Sequence, residues 1–228
     1  EPFGLLTVRE NVRLAADVAR RPNPDDIADE LLARLGIDDL ADQRADRLPT
    51  GQARVLELAR ALATAPQAAA GADVIVLAVP YGELAGVAAA IAPVSAGKVV
   101  IDTTNPLDFS QGMPPFLMAK YSGPTSLAEQ IQAAFPKAKV VKAFNTIAAA
   151  VMVNPALIPG DHDLFIAGND AGAKATVGDL ARREFGWKTI VDLGDIVGAR
   201  GTESLLPIWV RLWGVTGTHL INLHLAKG

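Results

Sequence analysis

The spacing of apolar residues changes near residue 67. Before that point the chain reads as one helix after another, with predicted helices at 7–21, 24–37 and 51–65 and no run typical of a strand. After Ala72, short apolar runs alternate with helical stretches. These runs predict strands at 73–79, 98–102, 138–144, 163–168 and 188–193.

Continuous apolar strands separated by helices are typical of a parallel sheet that is covered on both faces. The intervening helices are predicted at 81–92, 124–135 and 170–185. We therefore expect an α/β fold, a partial Rossmann-like parallel sheet with flanking helices, preceded by an all-helical N-terminal segment. The boundary is predicted at Pro66–Ala70, which divides the chain into 1–67 and 68–228.

Composition narrows the classes of function. Half of the 228 residues are hydrophobic and a fifth are charged, as in a globular protein with a sizeable core. The net charge of −4 argues against a nucleic-acid surface, which requires a basic patch. Because the chain has no cysteine, disulfides, thiolate metal sites and cysteine nucleophiles are excluded.

The most apolar segment, 205–226, has the length of a membrane span. Arg211 lies well inside it, and a charge in mid-bilayer costs about 3 kcal/mol on insertion scales, so a buried or interface helix is favoured. Apolar groups lie almost all round the helix that carries Trp209 and Trp213, which predicts a homodimer interface. No secretory signal opens the chain, so a cytoplasmic location is expected.

Two stretches mark the N-terminal region, FGLLTVRENVRLAADVARR and the motif LPTGQ at 48–52. Through them, residues 3–66 resemble the helical subdomain and signature helix of ABC-transporter ATPases. The resemblance implies that Thr50, Gly51 and Gln52 contact the terminal phosphate of ATP held by a partner subunit. The alternative is that Thr50 only caps an amphipathic helix. The chain has no GxxxxGK[ST] loop, so ATP hydrolysis by this chain alone is not expected.

Five landmarks follow in order along the rest of the chain. They are GADVIVLAVP (71–80), KVVIDTTNPL (98–107), VVKAFNTIAAAVM (140–152), DLFIAGND (163–170) and GARGTESLLPIWVRLWG (198–214). Through them, residues 69–228 resemble NADPH-dependent reductases of the deazaflavin coenzyme F420. The resemblance implies an NADP site bordered by Val79, Pro80, Tyr81, Asn105 and Pro106. It also implies a hydride-transfer site, where nicotinamide and deazaflavin meet, bordered by Lys142, Ala143, Phe144, Asn145 and Thr146.

The positions of these residues agree with general rules for α/β folds. In a parallel sheet, ligands gather outside the carboxyl ends of the strands, where Pro80, Asn105 and Asn145 fall. Each position also has a structural interpretation, since Asn-Pro opens turns, Asn145 could cap a following helix, and Phe144 is expected in the core. Direct hydride transfer needs aligned flat rings and excluded water rather than an acid–base pair.

The histidines do not predict a metal site. In the sequence DHD, at 161–163, neighbouring side chains cannot all face one way on a strand, so a solvated loop is favoured. His219 and His224 are five residues apart, which misses the same-face spacing of a helix.

The glycines do not supply a phosphate loop. No two of the 20 glycines are two positions apart, so this sequence lacks the GxGxxG fingerprint. NADP binding is therefore expected to be weak or lost, and the strand at 73–79 is expected to have an unpaired edge. The leading interpretation is an NADP-binding oxidoreductase impaired in this way. The alternative is a non-catalytic interaction protein, or a chimeric fragment, whose N-terminal helices dock on a partner protein.

Overall fold

The computed structural model describes residues 2–226. The chain forms two compact units, one ending at Ala72 and the other beginning at Asp73. This junction lies just beyond the predicted boundary, because one helix, α3 (Thr50–Gly71), runs through Pro66–Ala70. The first unit is helical and the second contains the sheet.

The first unit packs three helices, as the sequence predicts. α1 (Val8–Val18) begins with a capping box, in which Thr7 Oγ1 accepts from the Glu10 N–H and the Glu10 carboxylate accepts from the Thr7 N–H. α2 (Pro24–Leu35) has proline at its first position, and Asn23 precedes it without a side-chain cap bond. The buried residues of the three helices include Val8, Val12, Leu32, Leu56 and Ala59.

Thr50 does not cap α3. Pro49 occupies the cap position, Thr50 is the first helical residue, and no side chain bonds the amides at this end. The capping role predicted for Thr50 is therefore wrong. Between α2 and α3 the chain forms two short 3-10 helices, Asp38–Leu40 and Ala45–Arg47.

The second unit is built on a five-stranded sheet. In spatial order its strands, numbered along the chain, are β1 (Val74–Leu77), β2 (Val99–Asp102), β5 (Lys139–Ala143), β6 (Asp163–Gly168) and β7 (Thr189–Asp192). All five predicted strands are present, and the expected α/β fold is confirmed. Only β5 and β6 pair antiparallel among these described strands, so the sheet is mostly parallel instead of wholly parallel. A hairpin of two-residue strands, β3 (Leu107–Asp108) and β4 (Phe116–Leu117), lies outside the sequence prediction.

Helices flank the sheet in the described part of this unit. They are α4 (Tyr81–Ile91), α5 (Leu127–Ala134), α6 (Ala149–Val153), α7 (Ala171–Leu180), α8 (Ala199–Ser204) and α9 (Leu206–Thr216). A second capping box, formed by Ser126 and Glu129, begins α5. α9 is shorter than the apolar segment 205–226, because Gly217 ends it in a left-handed conformation.

The core of the second unit contains buried residues of β2, β5 and β6 packed with α6 and α7. Its members include Val141, Phe144, Leu164, Val177 and Trp187. β1 lies at one end of the sheet, as expected, and Val76 on it is 55% exposed. None of the helices within residues 2–226 is long and apolar enough to cross a membrane.

The DHD sequence is not entirely a solvated loop. Asp163 is the first residue of β6 and is buried. Its carboxylate accepts from the Leu225 N–H at 2.5 Å, and its own N–H donates to Leu223 O at 2.9 Å, so the C-terminal segment is tied to the start of β6. Among the described residues, no group of histidine and acidic side chains could hold a metal ion.

Candidate active site

A crevice opens where β1 and β2 end. It is a cavity of about 680 Å³, lined by residues 78–82, by residues between 103 and 109, and by Met118. The predicted residues along its wall are Val79, Pro80, Tyr81 and Asn105. Parallel strands end on the same side of a sheet, so their loops diverge and leave space for a ligand.

The loop after β2 is tied to the end of β1. The N–H and the hydroxyl of Thr103 both donate to the Leu77 carbonyl, at 3.1 and 2.9 Å. A doubly bonded loop has little freedom to move, so the wall of the crevice is a fixed extension of the sheet.

Asn105 and Asn145 meet across the ends of β2 and β5. Asn105 Nδ2 donates to the Asn145 carbonyl at 2.7 Å, and Asn145 Nδ2 donates to Asn105 Oδ1 at 3.1 Å. The helix cap proposed for Asn145 is therefore wrong, and α6 begins after Ala148 without a side-chain cap. The two amides instead form a polar bridge between neighbouring loops.

Phe144 turns the chain between β5 and Asn145. Its φ of +64° lies in the left-handed region, which a bulky residue rarely adopts. Its ring is buried, with centroids 6.1 Å from Phe185 and 6.5 Å from Trp187. This packing holds a bend that brings Asn145 to Asn105, and backbone strain of this kind clusters at functional sites.

Three of the predicted residues face the interior. Ala143 and Pro106 are buried, and Lys142 is 1% exposed. Lys142 Nζ lies 2.9 Å from Asp102 Oδ2 and 3.0 Å from Glu203 Oε1, and it donates to a backbone carbonyl at 2.6 Å. The ammonium group therefore makes these three contacts in the protein interior and lines neither cavity.

A second cavity, of about 160 Å³, adjoins the crevice. Asn105, Leu107 and Phe109 line both cavities, so the two spaces share a wall. The rest of the lining includes Met113, Asn145, Thr146, Ile147, Trp209 and Trp213. The two indole rings lie on α9 with centroids 6.0 Å apart. A wall of this composition suits a flat aromatic ligand.

Tyr81 lies at the edge of the crevice in a cluster with Tyr121 and Lys120. Its hydroxyl is 3.3 Å from that of Tyr121, which donates to Gln130 Oε1 at 2.9 Å. The Lys120 ammonium lies 4.9 and 4.8 Å from the two ring centroids. Burial alone would raise the pKa of Tyr81, but hydrogen bonds with Lys120 and Tyr121 outweigh it and lower that pKa. Burial and the hydrogen bond with Tyr81 raise the pKa of Tyr121 to about 12.

Sequence reasoning missed several lining residues. Leu107, Phe109 and Met118 belong to or adjoin the β3–β4 hairpin, whose two-residue strands are too short for a recognisable alternation. Trp209 and Trp213 lie on a helix that the sequence predicts at a subunit interface, and the family resemblance implies only in general terms that this end of the chain also shapes the substrate pocket. Their spacing of four residues, which places them on one helix face, was the available signal.

Comparison with known proteins extends this description. The profile of the family described as "NADP oxidoreductase coenzyme F420-dependent" matches residues 19–106. A crystal structure of a proposed F420-dependent NADP-reductase from Arthrobacter sp. FB24 is similar, with 47% identity and a TM-score of 0.67. The similarity covers 72% of this chain and 74% of that chain.

Two curated relatives are more distant. The F420-dependent NADP reductase of Methanocaldococcus jannaschii is 31% identical over 145 residues, which are 64% of each chain. Metalloreductase STEAP3 of Rattus norvegicus is 35% identical over 119 residues, which are 50% of this chain and 22% of the relative. The chain thus spans about 64% of the length of the Methanocaldococcus reductase.

The family match begins at residue 19, inside the segment 3–66 that resembles an ABC-transporter ATPase. That ATPase resemblance stays a prediction. The identity to the Arthrobacter structure is well above the level at which only a fold is shared, and nearly three quarters of that structure is covered. The chain belongs to the family of coenzyme F420-dependent NADP oxidoreductases.

Proposed function

We propose that the chain is an NADP-dependent oxidoreductase that transfers hydride between NADPH and a deazaflavin coenzyme. The observation that carries the proposal is the wall of Asn105, Leu107 and Phe109 that the two cavities share. Hydride transfer needs the faces of two reacting rings in contact, in a space that excludes water. Two cavities that meet at one wall support such an arrangement.

The residues present fit the two ligands to different degrees. The indoles of Trp209 and Trp213 suit the flat deazaflavin ring, and the loops after β1 and β2 suit the nicotinamide half of the dinucleotide. NADPH supplies the hydride when it is bound. The chain's own contribution is orientation, through the Asn105–Asn145 bridge, and exclusion of water, through the apolar side chains around it.

We further propose that NADPH binds weakly to this chain. The pyrophosphate of a dinucleotide is normally held by the closely spaced amides of a GxGxxG turn, and no two glycines of this chain have that spacing. The loss of several charge-assisted bonds is expected to weaken binding by about 100-fold or more. Titration of NADPH fluorescence measures the affinity, and tight, stoichiometric binding would contradict this expectation.

Turnover tests the function itself. NADPH oxidation is measured with a deazaflavin acceptor at millimolar NADPH, so that weak binding does not hide catalysis. Saturable turnover that needs both ligands supports the proposal. A folded protein that shows no turnover under these conditions would overturn it.

For the assembly, we propose a homodimer formed through α9. Ile208 and Val215 on this helix are 52% and 70% exposed, and apolar side chains exposed along one element are typical of an interface. Mass measured in solution tests this proposal. A dimer that the I208D/V215D variant converts to a monomer is expected, and a monomeric parent chain would contradict it.

The second candidate is a non-catalytic protein whose helical unit docks on a partner protein. Leu5 and Val18 of that unit are exposed apolar side chains, which favour an interaction surface. The resemblance of residues 3–66 to an ATPase subunit suggests a partner ATPase or a second copy of this chain. A stable complex without any turnover would support this candidate over the reductase.

A further inference from the structure

A buried network of charges lies beneath the Asn105–Asn145 pair, and the function proposed above does not account for it. The side chains of Lys142, Asp102 and Glu203 are at most 1% exposed. Ion pairs buried this deeply seldom add net stability, because removing the charges from water costs about as much as their attraction returns. Their presence calls for another explanation.

Every polar atom of the network has a partner. Lys142 Nζ donates to Asp102 Oδ2, to Glu203 Oε1 and to a backbone carbonyl. Asp102 Oδ1 accepts from the N–H and the hydroxyl of Thr104, at 2.8 and 2.6 Å. The Glu203 carboxylate accepts from two backbone N–H groups in the first turn of α5, at 2.8 and 3.0 Å. A fully satisfied network of this kind is rigid, and it joins β2, β5, α5 and α8.

The network is in register with the asparagine pair. Asp102 and Lys142 lie directly opposite each other on the adjacent strands β2 and β5. Each is followed three residues later by one of the asparagines, in the sequences DTTN and KAFN. Fixing the charged pair therefore fixes where both loops leave the sheet.

We propose that Lys142, Asp102 and Glu203 are positioning residues that hold the Asn105–Asn145 bridge and thereby the wall that the two cavities share. Lys142 acts through this bridge and not by contact with a ligand. The inference rests on the proposed function for its kinetic consequence alone, because the geometry can be tested without turnover.

Glu129 offers a matched control. Like Glu203, it accepts hydrogen bonds at the start of α5 and links this helix to α8, here through Arg200 at 2.6 and 2.9 Å. Within the described residues its bonds do not reach β2 or β5. A merely structural link between α5 and α8 would make Glu203→Gln and Glu129→Gln equivalent.

Hydrogen exchange measured by mass spectrometry separates the two roles. In E203Q we expect exchange to accelerate about tenfold or more in segments 103–107 and 143–148, because the strand ends lose their common anchor. In E129Q we expect both segments to exchange as in the parent chain. Equal behaviour of the two variants in these segments would overturn the proposal.

A second variant covers the case in which E203Q folds poorly. K142M/E203Q removes one charge of each sign, so the net charge of the buried network is unchanged. The same two segments are expected to exchange faster in the folded double variant. Exchange at the parental rate there would overturn the proposal.

A double-mutant cycle in kcat/KM measures a coupling that a purely structural role would not produce. E203Q and N105A are expected to be strongly non-additive in kcat/KM, because both act on one bridge, whereas E129Q and N105A should be additive. Additivity of E203Q with N105A would overturn the proposal. If the parent chain shows no turnover, the proposed function fails while the exchange measurement still decides this inference.

Discussion

The two cavities share a wall but are built from different parts of the chain. The first is lined mainly by loops that leave β1 and β2 directly at the strand ends. The second brings together the β3–β4 hairpin, the turn after β5 and the distant helix α9. The sheet itself therefore shapes the side of the site proposed for the dinucleotide, whereas the acceptor side depends on how α9 packs.

Breaking the Asn105–Asn145 bridge should cause the largest loss of kcat/KM. Asn145→Ala leaves Asn105 Oδ1 without its partner and removes one of the two hydrogen bonds of the bridge, which loosens the turn after β5. A displacement of about 1 Å between reacting rings can cost about 100-fold in rate, so we expect a loss of kcat/KM of that order. Steady-state kinetics with NADPH and the deazaflavin acceptor measure it.

Asn169→Ala is the control for this prediction. Asn169 Oδ1 also bonds a backbone amide after a strand, accepting from the Ile196 N–H at 3.0 Å, but Asn169 lines neither cavity. Its loss should change kcat/KM by less than about threefold, because the hydrogen bond lies away from both cavities and its contribution of about 1 kcal/mol is to the stability of the fold. Losses of similar size in both variants would mean that the bridge has no special role.

Removing an indole ring of α9 should weaken binding in the second cavity alone. Trp213→Ala removes a large part of the lining of the second cavity and should raise the KM for the deazaflavin by about tenfold, with the NADPH affinity unchanged. Arg211→Ala on the same helix, an exposed position that does not line the cavity, should leave both values unchanged. A parallel loss of NADPH affinity in Trp213→Ala would show that the cavities do not act as separate halves.

The pKa values of the two tyrosines should test the cluster that lies at the edge of the first cavity. The chain has two tyrosines, so absorbance titration resolves two phenol ionisations, the first below 10.0 and the second at about 12. Lys120→Met removes the ammonium that lowers the pKa of Tyr81, so the first step should move to higher pH. Overlapping ionisations near 10.0 in the parent chain would contradict the cluster described here.

The smallest effect is expected at Glu129, which joins α5 to α8 through Arg200. The hydrogen bonds from Arg200 hold the pKa of Glu129 at about 2, below its ordinary 4.5. Because the folded-state pKa is depressed, this carboxylate stabilises the fold above about pH 4.5, and that contribution is lost as the pH falls toward 2. Urea unfolding at several pH values should show a flatter acid limb in Glu129→Gln, and superimposable profiles would count against the ion pair.

The sequence predicted the first cavity better than the second for a physical reason. Pro80 and Asn105 follow continuous apolar runs typical of parallel strands, and the carboxyl ends of such strands meet at one edge. The second cavity depends on the packing of α9 against the turn after β5, which no local pattern encodes. The sequence also does not reveal that β6 runs antiparallel to β5, because a continuous apolar run is compatible with either pairing.

Lys142 shows what a strand register adds to sequence reasoning. The family resemblance implied that Lys142 borders the hydride-transfer site, yet alternation along β5 turns it away from the side that carries Val141 and Ala143. A lysine inside the apolar run KVVKAF needs a buried partner, and Asp102 holds the matching position on β2. Aligning DTTN with KAFN would have predicted both the ion pair and the asparagine bridge.

Transfer of a labelled hydride tests the central claim most directly, namely that the two cavities are the two halves of one transfer site. The protein is incubated with millimolar NADPH deuterated at the reacting carbon and with the deazaflavin, and the reduced product is examined by mass spectrometry. Direct transfer between ligands bound in the two adjoining cavities predicts deuterium in the reduced deazaflavin. No reduction, or a product whose label has been exchanged with water, would contradict it.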